Sequence, residues 1–358
     1  METQKQNYLP ALDGVRGLAV LMVMIFHYCQ ANHFFPDHPV LRVISKLSVF
    51  GQTGVDLFFV LSGFLITRIL LKAKKKPEPF FKNFYARRIL RIFPLYYGCL
   101  LLIYFIIPAL TSGAAIPFIK QVWFWSYLQN IVYTFPVVPF EGPNHFWSLA
   151  VEEQFYLVWP FLVYFLGTGW LVGTVGASIL VGLAVRSVFI AHDVSVVFFT
   201  LCRLDGLVLG SVLALLEAHQ GGLQKYRKPF LTGAFILLGL LAVIWPLTTG
   251  KGLDILQVVK PLLMAIFYLF CVGYVASLSD KGRIYQWMTG RSLTQIGVIS
   301  YGLYVFHPLC FDWVLHSPLN QNGAIALVAS FALTFGVAIA SFNYYESHFL
   351  KLKKYFAT

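Results

Sequence analysis

The chain has 358 residues, of which 58% are hydrophobic and 12% are charged, and its formal net charge is +12. About 25% of the residues in a typical soluble domain are charged, so this composition excludes a soluble enzyme and indicates an integral membrane protein. The basic residues border apolar segments. They therefore predict membrane orientation and argue against nucleic-acid binding.

Apolar stretches of about 20 residues predict an all-α polytopic fold with ten transmembrane helices around a polar central cavity. In chain order they are 12–31, 53–71, 90–110, 146–166, 170–191, 198–218, 229–247, 256–277, 293–314 and 323–343. The expected organisation is one membrane domain that fills the chain, 1–358.

The apolar stretch 112–135 is interrupted by polar residues and prolines such as Pro117 and Lys120, which predicts an interfacial or re-entrant segment. If it does not span, four basic clusters fall on one side of the membrane: 72–91, 225–228, 281–291 and 351–354. The positive-inside rule makes that side the cytoplasm. Both termini are then cytoplasmic, and 111–145 is the longest extracytoplasmic loop.

Arg16 and His27 lie eleven positions apart in the first apolar segment. Eleven residues make about three helical turns, so both side chains fall within roughly 20° of one helix face. A charge at the bilayer centre costs about 2.5–3.5 kcal/mol and usually faces a bundle interior or polar cavity. The pair therefore indicates a functional site. The alternative is an arginine that reaches the interface and a hydrogen-bonded core histidine.

Ionisable side chains from five predicted helices are expected to share one layer in the outer half of the membrane, because each helix rises about 1.5 Å per residue from a known side. The layer comprises His27, Asp56, Glu152, Glu153, Arg203, Asp205 and His307. If these groups served only as structural ion pairs, they would be scattered through the depth of the membrane. A reaction site or a transport pathway would gather them.

Three arginines, Arg87, Arg88 and Arg91, stand at the predicted cytoplasmic start of the third helix, on the same side as Arg16. Topology anchoring is one explanation. The planar guanidinium also suits phosphate groups, which favours an anionic ligand from the cytoplasm. A coenzyme A thioester, with a phosphorylated head and a long arm that ends in the acyl group, would extend from these arginines to His27.

Six segments carry a resemblance to a known family. They are LDGVRGLAVLMVMIFHY at 12–28, GVDLFFVLSGFLITRIL at 54–70, FYARRILRIFPLYY at 84–97, FWSLAVEEQFYLVWP at 146–160, RLDGLVLGSVLA at 203–214 and ISYGLYVFHPL at 299–309. Matches in this order are more specific than any single motif. By them, and over nearly its whole length, the chain resembles the integral-membrane acyltransferase type 3 family, whose members O-acylate cell-surface and exported glycans.

The resemblance implies an acyltransferase in the plasma (inner) membrane of a bacterium, with acyl-CoA, acetyl-CoA by default, as donor substrate and no permanently bound cofactor. It implies that Arg16 and His27 belong to the essential catalytic machinery. It also implies that Arg88 and Arg91 form part of an RxxR-type donor motif. After Glu346 the chain departs from the family pattern, so no role is assigned there.

Some family members carry a fused extracytoplasmic esterase-like domain. This chain is expected to complete the transfer alone or to pass the acyl group to a separate extracytoplasmic transferase. The acceptor implied is a glycan or glycolipid, such as O-antigen, exopolysaccharide, peptidoglycan or periplasmic glucan, or a small exported metabolite.

The preferred mechanism makes His27 a general base that takes the proton of a sugar hydroxyl, because imidazole titrates near neutrality. A carboxylate would orient the ring, with Glu153 the first candidate and Glu152 the second. Arg203 is a candidate for stabilising the oxyanion, a salt bridge with Asp205 being the alternative. The alternative is an acyl-histidine intermediate, in which the same residue acts as nucleophile, and the sequence does not separate the two mechanisms.

Further polar residues are predicted to bind the acceptor or to support the site: Asp56, His145, Ser148, Tyr156, Arg203, Asp205, Tyr301 and His307. His307 has two open interpretations, acceptor binding or a satisfied buried hydrogen bond. Aromatic residues in 111–145 suit a sugar ring, although such residues also concentrate at membrane interfaces without a ligand.

The main rival function is a secondary transporter or exporter, because intramembrane charges also mark transport pathways. Transporters often show duplicated halves, and none is visible in this sequence. The five cysteines have no metal-ligand spacing, so neither disulfides nor a metal site is predicted.

Overall fold

A computed structural model describes residues 9–32, 39–111, 113–248, 254–278 and 282–356. Within these ranges the chain forms helices and no strand, which confirms the all-α prediction. The helices are α1 (Pro10–Asn32), α2 (Pro39–Ser48), α3 (Gly54–Ala73), α4 (Phe80–Leu101), α5 (Ile107–Thr111), α6 (Phe118–Trp125), α7 (Gln129–Thr134), α8 (Trp147–Phe165), α9 (Thr168–Ala191), α10 (Thr200–Gln220), α11 (Arg227–Leu247), α12 (Asp254–Ala276), α13 (Arg283–Met288), α14 (Arg291–Val298), α15 (Ser300–Leu315), α16 (Gly323–Ser341) and α17 (Ser347–Lys351).

Several helix ends follow from local sequence. Pro10 opens α1, where its missing N–H costs nothing, and Asp13 adds a negative charge to the positive end of the helix. Gly221 ends α10 with φ 72°, the left-handed conformation that glycine adopts without strain. The Asn322 side chain accepts hydrogen bonds from two backbone N–H groups at the start of α16.

Within the described residues, seven helical segments are long and apolar enough to cross a membrane. They are Pro10–Gln30, Ser45–Ala73, Phe80–Thr111, Thr168–Ala191, Gln224–Leu247, Ile255–Ala276 and Gly323–Tyr355. The count is eight if α14 and α15, which meet at a bend of 74°, form one span. The protein is therefore a multi-pass membrane protein.

Each of the ten predicted windows contains helix, but the number of helices that cross the bilayer and the side of each terminus stay predictions. The windows that became α8 and α10 lie outside the seven apolar spans. They carry the intramembrane charges on which the functional prediction depends, including Glu152 and Arg203. The same residues that mark a candidate site thus lower the apolar character of its helices.

Two predicted helices differ from the observed ones. The window 293–314 is a bent pair because α14 ends at Val298, where Ile299 leaves helical geometry (φ −93°, ψ 7°). The predicted third helix begins ten residues earlier than expected, at Phe80, because its basic sequence is compatible with helix and Pro79 precedes it with extended geometry. Arg87 and Arg88, which precede the predicted window, therefore lie inside α4 together with Arg91.

The segment 112–135 contains two short helices, α6 of 8 residues and α7 of 6 residues. Between them Tyr127 has φ 55°, in the left-handed region, where the helical geometry is interrupted. Neither helix reaches the length of about 20 residues that a membrane crossing requires. Its location at the membrane interface, and that of the whole of 111–145, stays a prediction.

The chain divides into two compact units: the first comprises 1–58 and 278–351, and the second comprises 59–277 and 352–358. In the first unit, glycines let α1 approach the helices at 283–298 closely. A Cβ atom at Gly14 would lie 2.1 Å from the carbonyl oxygen of Met288, and one at Gly297 would lie 1.9 Å from that of Asp13. No larger residue fits these crossings.

In the second unit, α3 and α10 cross at Gly63 and Gly210. A Cβ atom at Gly63 would lie 1.9 Å from the Leu207 carbonyl oxygen, so glycine lets the two helix backbones approach closely here. A buried hydrogen-bond chain joins α8 to this crossing. Trp159 Nε1 donates to Thr67 Oγ1 at 2.7 Å, and Thr67 Oγ1 donates to Ser211 Oγ at 2.9 Å.

Candidate active site

Two histidines of the first unit meet across a helix interface. His27 on α1 and His307 on α15 share a hydrogen bond of 2.8 Å between Nδ1 of His27 and Nε2 of His307. The ring centroids are 4.9 Å apart with an interplanar angle of 30°. The sequence placed both residues about 14 positions along their predicted helices, and the structure brings them together.

His307 is fully buried and is held on its second nitrogen as well. Its Nδ1 lies 3.1 Å from the carbonyl oxygen of Leu303, one helical turn earlier. The rings of Tyr304 and Phe311 flank it at centroid distances of 5.8 and 5.7 Å. Of the two open interpretations, the buried hydrogen bond is observed, and a role in acceptor binding stays a prediction.

Arg16 forms an ion pair with Asp13, three residues earlier on α1. Asp13 is buried, while the Arg16 side chain is 28% exposed. The sequence analysis did not select Asp13. Its signal was the spacing of three residues, which places opposite charges side by side on a helix.

The other predicted residues of the first unit are Asp56 and Tyr301. Asp56 lies in the first turn of α3 and is buried, and Tyr301 lies in the first turn of α15 and is half-buried. Their assignment to acceptor binding or to support of the site stays a prediction.

A carboxylate cluster lies in the second unit. Both oxygens of Glu152 accept hydrogen bonds from hydroxyl groups: Ser62 Oγ donates to Oε1 at 2.8 Å, and Tyr156 O–H donates to Oε2 at 3.2 Å. Tyr156 was predicted, whereas Ser62 was not. The partner of Ser62 lies on another helix, so nothing in the sequence indicated this contact.

Arg88 and Glu153 complete this cluster, which we call the Glu152 cluster (Ser62, Arg88, Glu152, Glu153 and Tyr156). The guanidinium of Arg88 lies over the Tyr156 ring, 5.7 Å from its centroid. Glu153 interacts electrostatically with both Glu152 and Arg88. One predicted donor-binding arginine and both candidate carboxylates therefore lie together.

Arg87 faces a different neighbour from Arg88. Its guanidinium donates to the backbone carbonyl of Phe356 at 2.9 Å. Arg91, one turn further along α4 and half-buried, shares a helix face with both arginines. The three predicted donor-binding arginines are thus neighbours on one helix. Their assignment to donor binding stays a prediction.

Asp205 pairs with a residue that the sequence analysis missed. Arg186 NH1 donates to Asp205 Oδ2 at 2.6 Å, and Arg186 is completely buried. It also donates to the carbonyl oxygens of Cys202 and Val258, both at 2.8 Å. Its signal in the sequence was plain: it is the one ionisable residue of 170–191.

Arg203 and Asp205 point in different directions because residues two apart on a helix do not face each other. The Arg203 guanidinium lies 5.5 Å from the centroid of the Trp147 ring and 6.0 Å from that of Phe59. The sequence suggested a salt bridge of Asp205 with Arg203, whereas the cation observed beside Asp205 is Arg186. The proposed role of Arg203 at an oxyanion stays a prediction.

An uncharged network ties the start of α8 to its surroundings. Gln154 Nε2 donates to Asn130 Oδ1 at 2.9 Å, Asn130 Nδ2 donates to Thr200 Oγ1 at 2.8 Å, and Thr200 donates to Gln154 Oε1. The predicted residues His145 and Ser148 are both buried nearby in sequence, and Ser148 Oγ donates to the His145 carbonyl oxygen at 3.3 Å. These contacts hold the residues around the start of α8 in place. Contact of His145 or Ser148 with the acceptor stays a prediction.

Within each unit, the arrangement combines groups suited to proton transfer or to binding charge. The first unit holds an imidazole pair, and the second holds carboxylates beside arginine. The gathering of all seven ionisable residues into one layer, and the support of His27 by Glu153 or Glu152, stay predictions. Among the described residues, no three His, Cys, Asp or Glu side chains are grouped to hold a metal ion.

Comparison with known proteins gives a family match. The family model described as an acyltransferase domain matches residues 9–342. Peptidoglycan O-acetyltransferase OatA of Listeria monocytogenes is 27% identical over 380 residues, covering 96% of this chain and 56% of that protein. O-acetyltransferase OatA of Staphylococcus aureus is 34% identical over 228 residues, covering 59% of this chain and 35% of that protein.

A putative peptidoglycan O-acetyltransferase of Bacillus subtilis, YrhL, is 29% identical over 357 residues, covering 90% of this chain and 51% of that protein. This chain thus spans about half the length of the Listeria and Bacillus relatives, or less in the Staphylococcus case. No solved structure matches it.

Proposed function

This chain belongs to the acyltransferase family, and from that premise we propose that it is a membrane O-acetyltransferase of the bacterial inner membrane. It moves an acetyl group from cytoplasmic acetyl-CoA to a hydroxyl of an extracytoplasmic or membrane-associated glycan. The names of the relatives support acetyl as the group transferred and peptidoglycan as the first acceptor to test.

The observation that carries the proposal is the imidazole pair on α1 and α15. Nδ1 of His27 hydrogen-bonds to Nε2 of His307, and the proposal assigns proton transfer with an incoming hydroxyl to Nε2 of His27. Nε2 removes the hydroxyl proton while the hydroxyl oxygen attacks the thioester carbonyl carbon. The tetrahedral oxyanion then collapses, the carbon–sulfur bond breaks, and the departing sulfur takes the proton from the imidazolium. The products are the acetyl ester and coenzyme A.

The roles predicted for the acidic residues and for Arg203 remain part of the proposal. Glu153 or Glu152 would support the imidazolium, and a guanidinium such as that of Arg203 would stabilise the oxyanion. What supports this is the composition of the Glu152 cluster, which holds two carboxylates and a cation among apolar helices.

Donor binding is assigned to guanidinium groups. Arg16, Arg87, Arg88 and Arg91 would bind the phosphates of acetyl-CoA, because arginine offers paired N–H groups that match phosphate oxygens. The three residues on α4 form one basic segment of helix. We also propose a separate extracytoplasmic transferase as a partner to be sought.

The test uses purified full-length protein in lipid nanodiscs with radiolabelled acetyl-CoA and soluble peptidoglycan fragments. The native chain releases coenzyme A and labels the glycan, and His27→Ala does neither. His316→Ala is the matched control, because His316 is an exposed histidine on the C-terminal cap of α15. Full transfer by His27→Ala would overturn the assignment of the base. Binding of acetyl-CoA without transfer to any glycan would overturn the acceptor class.

A further inference from the structure

We propose that His307 is a positioning residue that fixes the tautomer of His27, placing the proton on Nδ1 and the reactive lone pair on Nε2. The inference deepens the proposed function and rests on His27 being the base. It identifies the backbone carbonyl of Leu303 as the group that decides which nitrogen of His27 is basic.

The carbonyl oxygen of Leu303 can only accept a hydrogen bond. Nδ1 of His307 lies 3.1 Å from the carbonyl oxygen of Leu303. That contact is a hydrogen bond only if Nδ1 of His307 carries the proton. A carbonyl on the same helix thus selects the Nδ1–H form of His307.

The tautomer of His307 in turn determines the tautomer of His27. A neutral imidazole that is protonated on Nδ1 presents a lone pair at Nε2. Nε2 of His307 therefore accepts, and Nδ1 of His27, 2.8 Å away, must donate. Neutral His27 then has its lone pair on Nε2. The opposite tautomer of His27 would set two lone pairs against each other and lose the hydrogen bond.

The surroundings hold His307 in the orientation that this relay needs. Its side chain is fully buried, and Tyr304 and Phe311 flank the ring. A flip of the ring would leave a buried carbonyl contact unmade, at the cost of an unsatisfied polar group. The pair therefore has one consistent neutral hydrogen-bond pattern, which runs from Leu303 through His307 to His27.

The direct test is ¹⁵N NMR of histidine-labelled native protein in nanodiscs at about pH 8, where an ordinary imidazole is neutral. The His27 signals are identified by their loss in His27→Gln. We expect a protonated Nδ1 and an unprotonated Nε2 at His27. A proton on Nε2 of His27, or an imidazolium at His307 that donates from both nitrogens, would overturn the proposal. This readout does not depend on catalysis, so it stands apart from a failure of the proposed function.

Kinetics with two variants separate positioning from simple packing. His307→Leu removes the acceptor, and we expect kcat to fall by roughly 100-fold, the lower end of what general base catalysis contributes, with KM for acetyl-CoA unchanged. His307→Gln keeps an oxygen that can accept from Nδ1–H of His27, and it should recover most of the loss. Equal defects in both variants, or a loss that appears in KM alone, would show that His307 only packs. If His307→Leu does not fold, the NMR spectrum of the native protein and the activity of His307→Gln still decide.

Discussion

The imidazole pair of the first unit and the Glu152 cluster of the second unit both place ionisable side chains on apolar helices, but they satisfy them in different ways. His27 and His307 hydrogen-bond to each other, and Nδ1 of His307 also contacts the carbonyl oxygen of Leu303 on its own helix. Glu152 instead has a hydroxyl on each oxygen and shares its surroundings with a cation. The first arrangement pairs two imidazoles, which are suited to proton transfer, whereas the second holds a carboxylate in place. We therefore expect changes in the first unit to affect turnover and changes in the second to affect stability and donor binding.

Of the variants that test this comparison, His27→Gln should have the largest effect, which is on kcat. Removing the general base is expected to lower kcat by about 10²- to 10⁴-fold. The glutamine amide is polar and of similar length, so the thermal unfolding midpoint should hardly change. Steady-state acetyl transfer and thermal unfolding in nanodiscs measure both quantities. A large loss of stability would show that His27 is structural and would remove the contrast between the two units.

A stability effect of similar free energy is expected from Arg186→Met in the second unit. The change leaves Asp205 buried without its observed cation, and breaking a buried ion pair costs about 3–5 kcal/mol. The double variant Arg186→Met with Asp205→Leu should recover most of that loss, since no isolated charge remains. Equilibrium unfolding in mixed micelles measures the free energies. A double variant as unstable as the single one would argue that the pair is not the stabilising element.

A smaller effect on donor binding is expected from Arg88→Lys. Lysine keeps the charge but loses the planar paired donors, so KM for acetyl-CoA should rise about 10-fold, or about 1.4 kcal/mol. Arg87→Lys is the matched variant. Since the Arg87 guanidinium donates to the Phe356 carbonyl, its replacement should raise KM less. Equal effects of the two changes would show that their different neighbours do not matter to the donor.

The smallest effect is expected from Ser62→Ala. It removes one of the two hydroxyl groups on Glu152 and should lower the free energy of unfolding by about 1 kcal/mol, with kcat little changed. Ser187→Ala, an exposed serine that bonds only within its own helix, serves as the control. A large loss of turnover in Ser62→Ala would instead move the Glu152 cluster to the centre of catalysis.

Much of the helical fold was accessible from the sequence, because runs of about 20 apolar residues must form helices to satisfy their backbone in a membrane. The predicted helix boundaries were wrong where the length of an apolar run does not determine where a helix begins or bends. The bend at Ile299 and the early start of α4 at Phe80 depend on packing and on helix propensity in a basic stretch. The early start matters to function, because it places the predicted donor arginines inside a helix.

Residue choice in the site shows the same division. His27 and Arg16 were identified because such side chains are costly in an apolar segment. Arg186 carried the same signal but was not among the predicted residues, whereas its partner Asp205 was. Asp13 and Ser62 gave little signal, since an aspartate in a first helical turn and a serine beside a glycine both have ordinary structural roles.

The sequence by itself determined that this is a helical membrane protein of the acyltransferase family with an intramembrane histidine, because hydropathy, charge and motif order are properties of the linear chain. Only the tertiary structure decided partners: His307 for His27, Arg186 for Asp205, and Ser62 for Glu152. A hydrogen bond needs two groups within about 3 Å, and residues 280 positions apart in sequence reach that distance only when helices pack.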